Sequence, residues 1–195
     1  MTTLDYYNEH AQEFAAQTAD VEFSQMQDRF LALLPAGGRV LDMGCGSGRD
    51  AKYFVARGFE VEATDGSPAL AAIATQRAGI PVRVELFEEL SATEAYDGVW
   101  ACSSILHAPK AQLPGILGRI ATALKPGGVL YTSFKLGDFD GERNGRHFSD
   151  FTEETFRAMA AGVPALAIEQ LWITGDVRPG RSAEQWLNLI LRKRA

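Results

Sequence analysis

Cysteine is scarce: Cys45 and Cys102 are the only two in 195 residues. Neither belongs to a CxxC pair or stands with a histidine pair, so the sequence predicts no disulfide framework and no metal site. Long apolar runs are missing as well. None approaches the roughly 20 residues needed to span a bilayer, and Met1-Thr2-Thr3-Leu4-Asp5 has neither the basic region nor the apolar stretch of a signal peptide. Positive charge is also in deficit, with a formal net charge of −6, which disfavours a nucleic-acid partner. The basic end Arg192-Lys193-Arg194 is short enough to read as a solvated tail. Together these shortages lead us to expect a cytoplasmic protein with reduced thiols and no membrane partner. They leave the oligomeric state open. No repeat, low-complexity stretch or Ser/Pro-rich linker divides the chain, so 1–195 reads as one domain. Its 46% hydrophobic and 23% charged residues are those of a globular protein with a substantial core.

Glycine is well supplied, and its placement is informative. Val40-Leu41-Asp42 reads as the end of a buried strand, followed by Met43-Gly44-Cys45-Gly46-Ser47-Gly48-Arg49-Asp50. Ala51, Phe54 and Val55 then fall at helical spacing. A strand that turns through glycines into a helix gathers backbone N–H groups and a positive helix end at one point, suited to a nucleotide-like ligand. The dinucleotide fingerprint G-x-G-x-x-G would need glycine at 49, where arginine stands. An NAD-type oxidoreductase is disfavoured accordingly.

Either side of this stretch the pattern is regular. Leu4, Tyr7, Ala11, Phe14 and Ala15 predict one helix, and Phe23, Met26, Phe30, Leu33 and Leu34 a second, ended by Pro35, Gly37 and Gly38. These two form a helical cap over residues 1–36, ahead of a core over 37–195. After the helix that closes at Gly58, strands are expected at Phe59–Thr64, Val82–Leu86, Val99–Cys102 and Val129–Phe134. The helix between the first two opens at Ser67-Pro68 and closes at Gly79. Another, carrying Leu113, Ile116, Leu117, Ile120 and Leu124, precedes the fifth strand. Such alternation makes βαβ units and a parallel sheet. A helix from Thr152 through Met159 follows. The last two strands, Ala165–Thr174 and Glu184–Arg192, have no helix between them and must pair antiparallel. Lys135–Ser149 is polar, glycine-rich and without regular period, and reads as a long loop.

The acid at 42, glycines at 44, 46 and 48, and Asp65 in place after the next strand resemble the first motifs of the class I S-adenosylmethionine-dependent methyltransferases. The Gly-Arg-Asp ending is similar to some small bacterial members of the tellurite-resistance type. The resemblance implies an α/β, Rossmann-like three-layer sandwich. Its seven-stranded, mostly parallel sheet has the order 3-2-1-4-5-7-6 with strand 7 antiparallel, plus the N-terminal helical cap. It also implies S-adenosyl-L-methionine as cofactor, S-adenosyl-L-homocysteine as product and a small-molecule methyl acceptor. A protein or RNA methyltransferase and a non-catalytic cofactor-binding module are the alternatives.

Site residues follow from the same resemblance. Gly44, Cys45 and Gly46 would lie against the methionine part of the cofactor. Asp42 would meet its amino group, directly or through water, or brace the loop. Arg49 would pair with its carboxylate or with a nearby acid. Asp65, followed by Gly66 and Ser67, would hold the ribose diol; the rival role is a turn and helix cap. Phe87 and Glu88 would meet the adenine. The segment from Ala101 and Cys102 to Pro109 would line the reacting centre. His107 would serve there as a general base or as a structural buttress. One of Tyr6 and Tyr7 would close over the sulfonium. Acceptor contacts are expected from the N-terminal helices, Lys135–Ser149 and Gly175–Ser182. In those loops Arg143, Arg146, His147, Arg178 and Arg181 either hold an anionic acceptor or are solvated.

Overall fold

Residues 2–178, 180–181 and 183–194 are described by a computed structural model of the chain. Met1 and Ser182, which end two of the stretches singled out above, lie outside the described residues. The central sheet is built from β1 (Arg39–Met43), β2 (Glu60–Asp65), β3 (Val82–Val84), β4 (Tyr96–Ala101), β5 (Leu124–Lys135), β8 (Leu166–Gly175) and β9 (Gln185–Lys193). Its order is β3-β2-β1-β4-β5-β9-β8. The first five strands are parallel, and β9 enters between β5 and β8 antiparallel to both. Counted within this sheet alone, that is 3-2-1-4-5-7-6, as the family resemblance implies.

Alternation along the strands separates two apolar layers. Leu41, Val99, Leu130 and Leu189 join α6 (Leu113–Ala123) and α7 (Glu153–Ala160) in the larger cluster. Val40, Trp100, Tyr131 and Ile190 join Phe30 of α3 (Ser24–Leu31) and Phe54 of α4 (Arg49–Ala56). Helix, sheet and helix thus form three layers, with the sheet sequestered on both faces. Trp100 stacks on Tyr131 at 4.0 Å in the second layer. Helix α5 (Pro68–Ala78) starts as expected, with Ser67 accepting from the Leu70 N–H and Pro68 in the first turn, and stops at left-handed Gly79.

Three expectations need correction. The first predicted helix is two, α1 (Thr3–Glu9) and α2 (Ala11–Thr18), broken at His10. The His10 ring stacks on Tyr6, and its Nδ1 donates to the Tyr6 carbonyl at 2.9 Å, closing α1 from its own side chain. The third strand stops at Val84, so Glu85 and Leu86 lie beyond the ladder. The supposed irregular loop holds a hairpin, β6 (Asp140–Arg143) and β7 (Arg146–Ser149). Asn144 and Gly145 turn it with φ of 53° and 76°. Two positive φ angles in succession are what a tight type I′ hairpin turn needs, and Asn-Gly supplies them.

Helices α1 and α2 lie against α5, and α1 reaches β7. They therefore cover the ends of β1, β2 and β4, where the glycine loop emerges. Gly48 caps α4 at φ 77°, and a Cβ there would stand 2.9 Å from Ala74 Cα and 3.0 Å from its carbonyl oxygen in α5. Gly48→Ala combines an unfavourable φ with a backbone clash, so we expect a loss of about 2 kcal/mol in urea unfolding. A midpoint unchanged from the parent would contradict this packing.

Candidate functional site

The glycine loop is shaped by its neighbours. The N–H groups of Gly44 and Cys45 both donate to the Thr64 carbonyl, at 2.8 and 2.9 Å, which folds the chain sharply away from β1. The Gly46 N–H donates to Asp65 Oδ2 at 2.8 Å, and the Ser67 N–H to Asp65 Oδ1 at 2.8 Å. Asp65 thus ties the loop after β1 to the loop after β2. Burial pushes its carboxyl up to about 6 despite those two donors. One acceptor position on each oxygen is left unspent by these bonds.

Two cavities flank this loop. The first, about 190 Å³, lies under α1 and α2 and takes in Asp65, Gly66, Phe87 and Glu88. Leu4, Glu85 and Leu86 also belong to its wall, and Leu4 and Glu85 were not expected there from the sequence. The early end of β3 puts Glu85 there, and Leu4 arrives only because the cap folds back. The second cavity, about 440 Å³, is reached by Cys45, Arg49 and Cys102, by the β6–β7 hairpin and by the turn between β8 and β9. Tyr7, Phe14, Gly44, Gly46, Ser103 and His107 line both. These six form the neck between the cavities.

At the neck the hydrogen bonds fix a tautomer. His107 Nδ1 lies 2.7 Å from the His147 carbonyl oxygen, which can only accept, so Nδ1 carries the proton. His107 Nε2, 2.8 Å from the Tyr7 hydroxyl, is then the acceptor. Arg146 Nη1 approaches the same hydroxyl at 3.5 Å. Burial pushes His107 down to about 4, keeping the imidazole neutral at physiological pH, and raises Tyr7. Ser103, beside them, holds φ at 51°, with its N–H donating to Ser133 Oγ at 3.0 Å. A serine in the left-handed region is strained, and the strain falls at the neck.

Several predicted residues stand elsewhere. Ala101 is fully buried among the α6-side apolar residues and reaches neither cavity, because alternation along β4 turns it inward; Ser103 and Ser104 border the first cavity instead. Ser67 is fully buried as the cap of α5, its hydroxyl donating to Asn8 Oδ1 at 2.6 Å, so it is a brace and not a wall. Tyr6 lies off both walls, between His10 and the Arg146 guanidinium; Tyr7 is the tyrosine of α1 at the neck. His147 turns its ring to Asp140, at 2.9 Å, away from both cavities.

Asp42 sits beneath the loop at 2% exposure, off both walls, and its Oδ2 has no partner among the described residues. Burial and the nearby Asp50 push its carboxyl well above the usual range. Arg49 does line the second cavity, but it grips Asp50 at 2.8 and 2.9 Å. Asp50 also accepts from Gln27 at 2.6 Å and Trp100 at 2.8 Å. Burial raises Asp50, yet Arg49 together with the Trp100 and Gln27 hydrogen bonds holds the carboxyl below its ordinary value. The nearby acid is therefore Arg49's partner. Both thiols border the second cavity; burial raises Cys45 well above its normal value and Cys102 to about 12, so neither is a thiolate. Among the described residues no cluster of His, Cys, Asp or Glu could hold a metal ion, and no helix is long and apolar enough to cross a membrane.

Comparison with known proteins agrees with this architecture. Residues 7–171 match the family described as "Methyltransferase domain". Over 108 residues the chain is 37% identical to the ubiquinone biosynthesis O-methyltransferase of Xanthomonas axonopodis pv. citri, covering 52% of this chain and 44% of that protein. The chain thus spans under half the length of that relative. Two solved structures share the fold at 22% identity. The 1,6-didemethyltoxoflavin-N1-methyltransferase of Burkholderia thailandensis, with S-adenosylhomocysteine bound, has a TM-score of 0.71, covering 99% of this chain and 91% of its own. A TehB-like methyltransferase of Corynebacterium glutamicum has 0.70, covering 97% of each. The chain belongs to the methyltransferase-domain family, the class I S-adenosylmethionine-dependent methyltransferases.

Proposed function

We propose that this protein transfers a methyl group from S-adenosylmethionine to a hydroxyl of a small molecule held in the second cavity. The observation that carries this reading is the pair of cavities meeting at a neck of glycine backbone, Tyr7 and His107. The residues present fit the cofactor. Asp65 offers a diol one free acceptor position on each oxygen, and Gly66 beside it leaves the wall low. Phe87 and Glu88 supply an apolar face and a carboxylate for a purine with an exocyclic amino group. Gly44, Cys45 and Gly46 lie along the way to the second cavity, where Arg49 presents its guanidinium. The orphaned oxygen of Asp42 behind the loop suits a cationic amino group, through water. When bound, the cofactor supplies a methyl group activated by its sulfonium.

The chain's own part is to hold the acceptor in line and to take its proton. Tyr7 faces the neck with its hydroxyl already donated to His107 Nε2. The acceptor's proton passes to the Tyr7 oxygen as Tyr7 gives its own to the imidazole. Tyr6 holds Arg146 from below and takes no direct part. An oxygen acceptor is supported by the O-methyltransferase name of the Xanthomonas relative, and a small acceptor by the Burkholderia neighbour's name.

Calorimetry with S-adenosylhomocysteine, followed by a screen of small hydroxylated molecules with methyl-labelled cofactor, tests this reading. We expect saturable binding and label transfer to at least one compound. Tight binding without transfer to any acceptor would favour a cofactor-binding partner module. Transfer only to a protein or RNA would replace the small-molecule assignment.

A further inference from the structure

Six cationic side chains, Arg49, Lys135, Arg143, Arg146, Arg178 and Arg181, line the second cavity. Five have carboxylate partners. Arg49 holds Asp50 and Arg143 holds Asp150, at 2.8 and 2.7 Å. Arg178 is bound to Asp176, while Lys135 and Arg181 share Glu184. Arg146 has no carboxylate among the described residues. Its one polar contact is the long approach of Nη1 to the Tyr7 hydroxyl, and its Nε is buried without a partner. Aromatic rings hold it instead, Tyr6 at 4.4 Å, Phe148 at 5.2 Å and Tyr7 at 5.7 Å. Such faces fix a guanidinium without neutralising it.

The hairpin register sharpens the imbalance. Arg143 and Arg146 are directly opposed across the β6–β7 turn, and like charges in that relation repel. Asp150 grips Arg143 through both oxygens, at 2.7 and 2.9 Å, and turns its charge away from the problem. Nothing does so for Arg146. Four carboxylates serve these five cations, since Lys135 and Arg181 share Glu184, and Arg146, beside the neck, has none among the described residues; the site is arranged to take negative charge from outside.

We propose that Arg146 receives a carboxylate on the methyl acceptor, so that the substrate is a carboxylate with an apolar, ring-bearing body. This rests on the methyltransferase reading above and names the substrate class for the same cavity. A planar guanidinium with unspent donors matches a carboxylate in two-point contact. The rest of the substrate meets Phe14, Phe23, Phe148 and Trp186, which line the same cavity. The 3.5 Å between Arg146 Nη1 and the Tyr7 oxygen places the acceptor's charged group close to the residue that takes its proton. A neutral acceptor would leave Arg146 uncompensated.

Benzoate and benzamide, alike in shape and different in charge, are the probes. Each is titrated into the protein loaded with S-adenosylhomocysteine and into the free protein, with the heat of cofactor-product binding measured first. Benzoate should bind at least tenfold tighter than benzamide. Arg146→Gln should bring benzoate down to the benzamide level while leaving S-adenosylhomocysteine affinity within twofold, and Arg146→Lys should restore part of the preference. Circular dichroism melts confirm that both variants fold. Equal affinity of the two probes for the parent protein would overturn the proposal, as would a preference that survives Arg146→Gln. A large loss of S-adenosylhomocysteine affinity in Arg146→Gln would also overturn it, assigning the arginine to the cofactor's own carboxylate. If S-adenosylhomocysteine itself fails to bind, the methyltransferase reading fails. The free-protein titrations still decide the charge preference.

Discussion

Asp65→Ala is expected to weaken S-adenosylhomocysteine binding by a hundredfold or more. Each carboxylate oxygen already accepts one backbone N–H, from Gly46 or Ser67, and has one acceptor position left for a ribose hydroxyl. Hydrogen bonds to a charged acceptor contribute about 1.5–3 kcal/mol each. Losing two of them, together with the tie that shapes the glycine loop, passes the roughly 2.7 kcal/mol that a hundredfold represents. Asp65→Asn keeps the size but turns an N–H toward one of the backbone donors, so it should fall between the two. Acidity should act through the same group. Burial sets the carboxyl at about 6, and hydroxyl donors favour its ionised form. Affinity should therefore fall as pH drops through 6, approaching tenfold per unit, with a proton released on binding in that window. Calorimetry in buffers of different ionisation heat reads both effects. Affinity that stays level from pH 7 to pH 5 would remove Asp65 from the diol.

What could be read in advance divides along physical lines. The strands, their alternation with helices and the antiparallel final pair followed from short-range signals: apolar runs, the Ser67-Pro68 start, glycine stops, and two final strands too close for a crossover. Their order in space came from the family resemblance. The glycine loop and Asp65 were legible because one bond pattern, Gly46 to Asp65, ties together elements whose spacing is nearly fixed. The second cavity was not legible in the same way. Which tyrosine faces the neck depends on how α1 docks on α5 and β7, a long-range matter of packing. The period placed Tyr7 on the apolar face of its helix, and that face turns out to cover the site. Asn144-Gly145 is a short-range hairpin signal passed over because the surrounding polar residues suggested an open loop. That omission also hid the opposition of Arg143 and Arg146. Pairing of the cationic side chains is the least legible feature, since Asp150, Asp176 and Glu184 reach their partners only once the chain is folded.

His107→Asn should lower kcat for the acceptor about a hundredfold while leaving S-adenosylhomocysteine affinity within threefold. Among the described residues the imidazole is the only group bonded to the Tyr7 hydroxyl at short range, 2.8 Å, and it is held from behind by the His147 carbonyl at 2.7 Å. General-base assistance of this kind is worth about 10²–10⁴ in rate. Tyr7→Phe should give a similar loss, since it removes the same link from its other end. A kcat within threefold of the parent in both variants would reduce His107 to a buttress. The histidine also leaves a signature in stability that no acceptor is needed to read. Its folded value of about 4 lies below the ordinary 6.5 because burial opposes charge. The unfolded chain therefore binds the extra proton first, and stability drops by about 3 kcal/mol as pH falls from 6.5 to 4. Asp65 does the opposite. Its folded value of about 6 exceeds the ordinary 3.8, so the folded state gains about 3 kcal/mol as pH falls through that interval. In the parent the two oppose each other. With His107 replaced its share of the loss is absent, so the variant should gain resistance to urea relative to the parent as pH is lowered from 6.5 to 4. Urea midpoints that move the same way with pH in His107→Asn and in the parent would show that His107 is not held neutral by burial.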